Sequence, residues 1–216
     1  MVANFEKMKN ITQKLLPISK RRSGQKLLGI SFIVSHDTAN PGSTAQGNVN
    51  YFINSANEME ASAHYFVDDK DIIQIIPDSE KSWHVRFISP KDNEIYGKDA
   101  NDWALGIELC YGGNIDNKKA YQNYVELHAY LCKKYKLIPE KKVVGHYALD
   151  PIRRNDPLNA FSVIGKIWAD FIQDINDIMP KEDKDKEILN LKTELEVHRG
   201  LLKKMWKYII ALLSKK

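Results

Sequence analysis

The chain is poor in cysteine: among 216 residues only Cys110 and Cys132 carry a thiol. One falls in a strand-like run and the other in a helix-like run, with no Cys-x-x-Cys pair and no disulfide framework, so buried free thiols are expected. A continuous apolar stretch near the start is missing too. Met1 to Lys20 mixes Glu6 with several lysines, unlike a secretory signal peptide, so the expectation is residence in the cytoplasm. Internal repeats and low-complexity segments are absent. Charge of one sign is also lacking over most of the chain, because residues 1–180 hold 22 basic and 22 acidic side chains. A neutral main body gives little support for a nucleic-acid enzyme. The net charge of +4 comes entirely from residues 181–216, with 10 basic and 6 acidic side chains.

What remains is an ordinary folding chain, with 43% hydrophobic and 28% charged residues, so nothing argues for extended disorder. Its length suits one main domain plus a small appendage. Asn4 to Leu16 reads as weakly helical, and Lys20 to Gly24 as a basic, turn-prone entry to the first strand. That strand is Gly29-Ile30-Ser31-Phe32-Ile33-Val34-Ser35, a run rich in β-branched and aromatic residues. After a break at Ala39 to Ser43, helical spacing resumes over Thr44 to Asn57, with Val49, Phe52, Ile53 and Ala56 on one face. Strands are expected at Ala63 to Val67 and Ile72 to Ile76, joined by the polar connection Asp68 to Asp71. A long irregular region from Pro77 to Asp102 follows, and loops of such length in compact domains are often binding surfaces. The pattern then gives a central strand over Trp103 to Tyr111, a helix over Tyr121 to Tyr135, a short strand at Val143-Val144, and a helix from Ala160 to about Ile178. Such alternation predicts an α/β fold: a central mixed β-sheet flanked by helices, with a C-terminal helical tail.

Three places carry chemistry. His36 ends the first apolar strand, where a polar side chain is delivered at the carboxyl end of a buried element. The run Gly145-His146-Tyr147-Ala148-Leu149-Asp150-Pro151-Ile152-Arg153-Arg154-Asn155-Asp156-Pro157 places a histidine and a carboxylate ten residues apart across turn-forming and cationic residues. It reads as a metal-site loop, although zinc usually needs a third protein ligand. Glu108 interrupts the apolar strand Leu105-Gly106-Ile107-Glu108-Leu109, where an acid is costly unless it is paired or used. His64 and His128 read as structural residues of a strand and a helix.

Four segments in register, Ile33-Val34-Ser35-His36-Asp37-Thr38, Trp83-His84, Gly106-Ile107-Glu108 and Gly145 to Pro157, resemble the zinc-dependent N-acetylmuramoyl-L-alanine amidases. That family is related to peptidoglycan recognition proteins and occurs as phage endolysins and bacterial autolysins. The match runs over about residues 27 to 175 and leaves out the tail. The resemblance implies a mixed sheet with zinc in a groove, held by His36, His146 and Asp156. It implies Glu108 as general base and proton donor, Arg154 as oxyanion stabiliser, and Trp83 and His84 as substrate contacts. Three positions depart from the family pattern: Arg154 stands where a lysine is common, Leu158 where a glycine often follows Asp-Pro, and Ala63 where some relatives have a tyrosine. Arg153 could instead be the contact, or either arginine could pair with Asp150. The implied reaction is hydrolysis of the amide between N-acetylmuramic acid and L-alanine in peptidoglycan, in phage-driven lysis or autolysis. The enzyme would reach the wall only after release from the host cytoplasm. A cytoplasmic muropeptide-recycling amidase and a non-catalytic peptidoglycan-binding module are the alternatives.

By this reading the catalytic domain spans residues 1–178 and a charged linker residues 179–187. A heptad-patterned basic helix then covers 188–216. In that helix Ile188, Leu191, Leu195, His198, Leu202, Met205, Ile209 and Leu212 follow alternating steps of three and four. The expected use is self-association or contact with the cell wall, since the lysines interrupt any run long enough to span a bilayer.

Overall fold

The computed structural model describes residues 11–86, 96–179 and 181–213, the side chains of 181–187, 207–209 and 211–213 excepted. The chain divides after Ile178 into two compact units. In the first, the two longest strands lie side by side and parallel at the middle of a sheet. These are β2 (Phe32–Asp37) and β5 (Ala104–Leu109). With β1 (Ile11–Gln13), β3 (Tyr65–Val67), β4 (Ile72–Gln74) and β6 (Val143–Gly145) they form six strands in the order β1-β4-β3-β5-β2-β6. Every neighbouring pair is parallel except β3 and β4, which the Asp68 to Asp71 connection joins as antiparallel strands. Every residue of β2 is buried, the signature of a strand covered on both faces.

The two faces of β2 have different duties. Phe32 and Val34 point into an apolar cluster with Val85, Ala104, Val144 and Leu149. Ser35 points the other way, to His128 Nε2 at 2.9 Å on the helix α3 (Asn117–Tyr135). That helix packs on α7 (Trp168–Ile178), with Tyr124 stacked on Phe171 at 5.3 Å between ring centres. His36 has the parity of Phe32 and Val34, and therefore emerges on the cluster face at the carboxyl end of the strand. The other helices of this unit that lie among the described residues are α1 (Ala45–Asn54), α2 (Ala100–Trp103), α4 (Pro139–Lys142), α5 (His146–Leu149) and α6 (Leu158–Ile164).

Three expectations are corrected. Ile11–Gln13 is an edge strand in register with Ile72–Gln74, not part of a helix over Asn4 to Leu16; residues 1–10 of that stretch lie outside the described residues. A short, weakly periodic segment with β-branched Ile11 and Thr12 gains more by pairing with an open sheet edge than by an isolated helical turn. The single helix expected from Ala160 to Ile178 is two, because Gly165 adopts φ of 75° and its N–H caps the end of α6, a conformation glycine reaches without a Cβ clash. The charged run Lys181 to Glu187 is not a separate linker but the first turns of a continuous helix, α8 (Lys181–Leu213).

Candidate metal centre

The sheet register builds the site. His36 stands opposite Glu108 on the neighbouring strand, and parallel partners project to the same face, so the two polar residues share the carboxyl end of the central strands. On the other side Val34 pairs with Val144, and His146 follows β6 directly as the first residue of α5. Asp156 returns to the same place through the loop after α5, tied by the Tyr147 N–H donating to the Asp156 carbonyl at 3.0 Å. Arg153 holds this loop from within by a two-point contact with the buried Asp150 carboxylate.

The donor atoms of His36, His146 and Asp156 lie within 4.8 Å of one another, and all three residues are buried. His36 Nδ1 and His146 Nδ1 approach the same carboxylate oxygen, Asp156 Oδ2, at 2.9 and 3.0 Å. Burial works to raise the Asp156 carboxyl, but hydrogen bonds from both imidazoles and their charge outweigh it and hold it well below the usual carboxylate range. Burial depresses His36 to about 4. Neutral imidazole and ionised carboxylate are the protonation states in which these groups bind a metal, so the residues fit one. His146 Nε2, buried and without a hydrogen-bond partner among the described residues, adds a second nitrogen shut off from water.

His84 comes to the same centre from the irregular region. Its Nδ1 lies 3.1 Å from His36 Nε2, the second hydrogen bond by which ligating histidines are commonly oriented. Burial and the neighbouring His36, His64 and His146 keep this imidazole far below the ordinary histidine value. It can enter only because residue 106 is glycine, where an added Cβ would sit 2.6 Å from the His84 ring. Asn101 Oδ1 accepts the backbone N–H groups of His84 and Val85, each at 3.0 Å, and fixes the loop. Trp83 is half-buried, with Lys81 Nζ 5.1 Å from the ring centre. The expected pair therefore splits: His84 is buried against a candidate ligand, and Trp83 is the member that reaches solvent.

Glu108 has a buried Oε2 with no hydrogen-bond partner among the described residues. Desolvation, together with the negative charges of Asp156 and Asp37, pushes this carboxyl well above the ordinary value, while Arg154 acts in the opposite sense. No structural salt bridge claims Glu108 among the described residues. Arg154 is exposed, and its charge reaches both His36 and Glu108. Arg153, occupied by Asp150, is the loop-holding arginine of the two.

His64 and His128 are fully satisfied. His64 Nδ1 lies 2.9 Å from Ser82 Oγ and 3.0 Å from the Gly106 N–H, with Nε2 2.9 Å from the Glu80 carbonyl. His128 Nδ1 meets the Tyr124 carbonyl at 2.8 Å, and Nε2 meets Ser35. Asp37 is a supporting residue that spacing does not mark: its carboxylate accepts from the Ala160 N–H at 3.1 Å and Asn159 Nδ2 at 3.3 Å, pinning the start of α6 just after Asp156. Its position beside His36, at the end of a strand that opens with Phe32-Ile33-Val34, is the only signal the sequence offers.

The family model described as N-acetylmuramoyl-L-alanine amidase matches residues 26–159, and the chain belongs to that family. A probable N-acetylmuramoyl-L-alanine amidase of Bacillus licheniformis is 39% identical over 138 residues, covering 58% of this chain and 36% of the relative. The amidase CwlL of the same species is 34% identical over 159 residues, 68% of this chain and 39% of the relative. The chain thus spans well under half the length of these relatives. Among solved structures, the catalytic domain of XlyA superposes with a TM-score of 0.63 at 27% identity, over 77% of this chain and 99% of that domain.

Proposed function

We propose that this chain is a zinc-dependent peptidoglycan hydrolase, cleaving the amide bond between N-acetylmuramic acid and the L-alanine of the stem peptide. The observation that carries the reading is the convergence of His36, His146 and Asp156 at the carboxyl end of β2 and β6, inside the segment that the amidase family matches. A bound zinc supplies two things, a water of lowered pKa and polarisation of the substrate carbonyl. Each remaining task falls to a residue of the chain. Glu108 takes the proton of the attacking water and passes it to the departing amine, a role suited to a carboxyl whose buried Oε2 has no hydrogen-bond partner among the described residues. Arg154, cationic and exposed at the rim, hydrogen-bonds the oxyanion as the carbonyl becomes tetrahedral. His84 orients His36, and Trp83 offers an aromatic face to sugar or peptide. Asp37 and Asp150 hold the loop that carries Asp156.

The proposed setting is phage-driven lysis or autolysis, with the wall reached after release from the host cell. No helix among the described residues is long and apolar enough to cross a membrane. The tail's part in this reading is self-association or contact with the wall. Mass analysis of purified peptidoglycan after digestion tests the reaction: new L-alanine amino ends with intact glycan are expected, and new reducing sugar ends without them would overturn it. Activity on intact walls that exceeds activity on soluble anhydro-muropeptides distinguishes a lytic from a recycling enzyme.

A further inference from the structure

The amidase chemistry uses nothing beyond Ile178, yet the chain continues into a helix whose large apolar side chains stand open. Ile188, Leu191, Leu195, Leu202, Met205 and Trp206 are 49–61% exposed. Their spacing alternates three and four, so Ile188, Leu195 and Leu202 take heptad position a, and Leu191, His198 and Met205 take position d. We propose that α8 pairs two copies of this chain in a parallel, in-register coiled coil. The inference makes specific a contact that the amidase reading leaves open.

The flanking positions select the arrangement. In a parallel pair, a residue at g faces the e position five residues on in the other copy, so Glu194 meets Arg199 and Leu201 meets Trp206. The sequence repeats the acid–base relation one heptad earlier, from Glu187 to Lys192. Opposite charges are matched at the amino-terminal half, and apolar groups at the carboxyl-terminal half. An antiparallel pair sets g against g and e against e, and loses the systematic matching. His198 tightens the register further, because only an in-register alignment spares a facing leucine from a polar partner. Positions d carry leucine, histidine and methionine, and no β-branched residue that would favour three or four strands. Lys203 and Lys204 fall at b and c, outside the seam, where a coiled coil leaves them in water. Over 33 residues the helix is about 50 Å long, more than enough for a two-stranded seam.

Sedimentation equilibrium of the full chain tests this directly, with a particle of twice the 24.8 kDa chain mass expected. Leu195→Asp with Leu202→Asp should return the mass to one chain while cleavage of soluble muropeptides is unchanged, which separates this test from that of the amidase reading. Glu194→Lys should weaken association about fivefold or more, as two symmetry-related pairs become repulsive, and adding Arg199→Glu should restore it. Leu202→Cys should cross-link two chains under mild oxidation, because parallel in-register strands bring the same position together; Cys110 and Cys132 are buried and give no background. A single-chain mass at all concentrations, a mass of three or four chains, or failure of the Leu202→Cys cross-link would each overturn the proposal. So would a single-chain particle that instead adsorbs through α8 to anionic lipid vesicles.

Discussion

At the scale of single residues, the proposed function assigns the metal to one set of groups and proton transfer to another. His146→Ala removes one of three converging donors, so zinc content by elemental analysis and wall hydrolysis should fall together; a variant with full zinc and full turnover would remove this centre from the reading. Glu108→Gln keeps the size of the side chain and discards the proton acceptor. It should retain zinc and lose about 10²–10⁴-fold in turnover, the usual contribution of a general acid–base group. Near-normal hydrolysis by the folded variant would assign Glu108 to structure. Gly106→Ala probes the support behind the ligands, because its Cβ lies 2.6 Å from the His84 ring and the imidazole must leave its contact with His36. The expected result is a metal affinity lowered about 10–100-fold, the range for loss of an outer-shell partner, measured by competition with a chelator. Unchanged affinity would mean that His84 does not position His36.

At the scale of elements, the reading from sequence succeeds where one apolar period governs and fails where tertiary pairing decides. The runs Phe32 to Asp37 and Ala104 to Leu109 are legible because each holds consecutive apolar residues, Phe32-Ile33-Val34 in the first and all but Glu108 in the second. Helix α3 is legible through its stripe of Tyr124, Leu127 and Leu131. Ile11–Gln13 is not, since only the free edge of β4 makes it a strand. The candidate ligands His36, His146 and Asp156 could be named through the family resemblance of their motifs, but the pairing of His84 with His36 depends on a chain crossing from the irregular region into a gap left by Gly106. Asp78 is a second product of tertiary contact. It joins the β4 edge to α3 by accepting from Lys134 Nζ at 2.8 Å, Tyr135 and Tyr65 hydroxyls at 2.5 Å, and Gln74 Nε2 at 2.8 Å. Burial works to raise its carboxyl, and these donors outweigh burial to lower it below 3.8. Its stabilisation is therefore complete above that value and is lost as pH falls through the lower folded value. The buried histidines act earlier. Burial lowers His64 to about 4 and His128 to about 3 from 6.5, so the unfolded chain binds protons that the folded chain refuses, and stability declines as pH drops from 6.5 toward those values. Urea midpoints of the metal-free protein should fall steadily between pH 6.5 and 4, with Asp78 adding its loss below 3.8. A flat profile across that window would show that these histidines are already satisfied when charged.

At the scale of the whole molecule, the chain divides into two compact units, and the proposed function gives them separable tasks. The match to the amidase family ends at residue 159 and the division of the chain falls after Ile178, so the candidate centre and the helices α6 and α7 lie entirely before the tail. The tail also concentrates the excess charge, 10 basic against 6 acidic side chains over residues 181–216. On the proposed function, cleavage of a small soluble muropeptide needs only the residues of the centre. Hydrolysis of an insoluble wall depends also on how long a particle stays at the surface, and two linked catalytic units rebind before diffusing away. Removing residues 181–216 should therefore leave turnover of soluble muropeptide within about twofold, while lowering adsorption to whole walls and the rate of their clearing by about tenfold or more, as expected when a second attachment is lost. Added salt discriminates the cause. Attraction of the tail's lysines to an anionic wall polymer weakens at high ionic strength, whereas a seam of leucine and isoleucine does not. If adsorption of the full chain collapses at high salt while its particle mass stays doubled, direct charge contact holds it to the wall. If adsorption and mass persist together, bivalence does. A truncated chain that clears whole walls as fast as the full one would deny the tail either part in lysis.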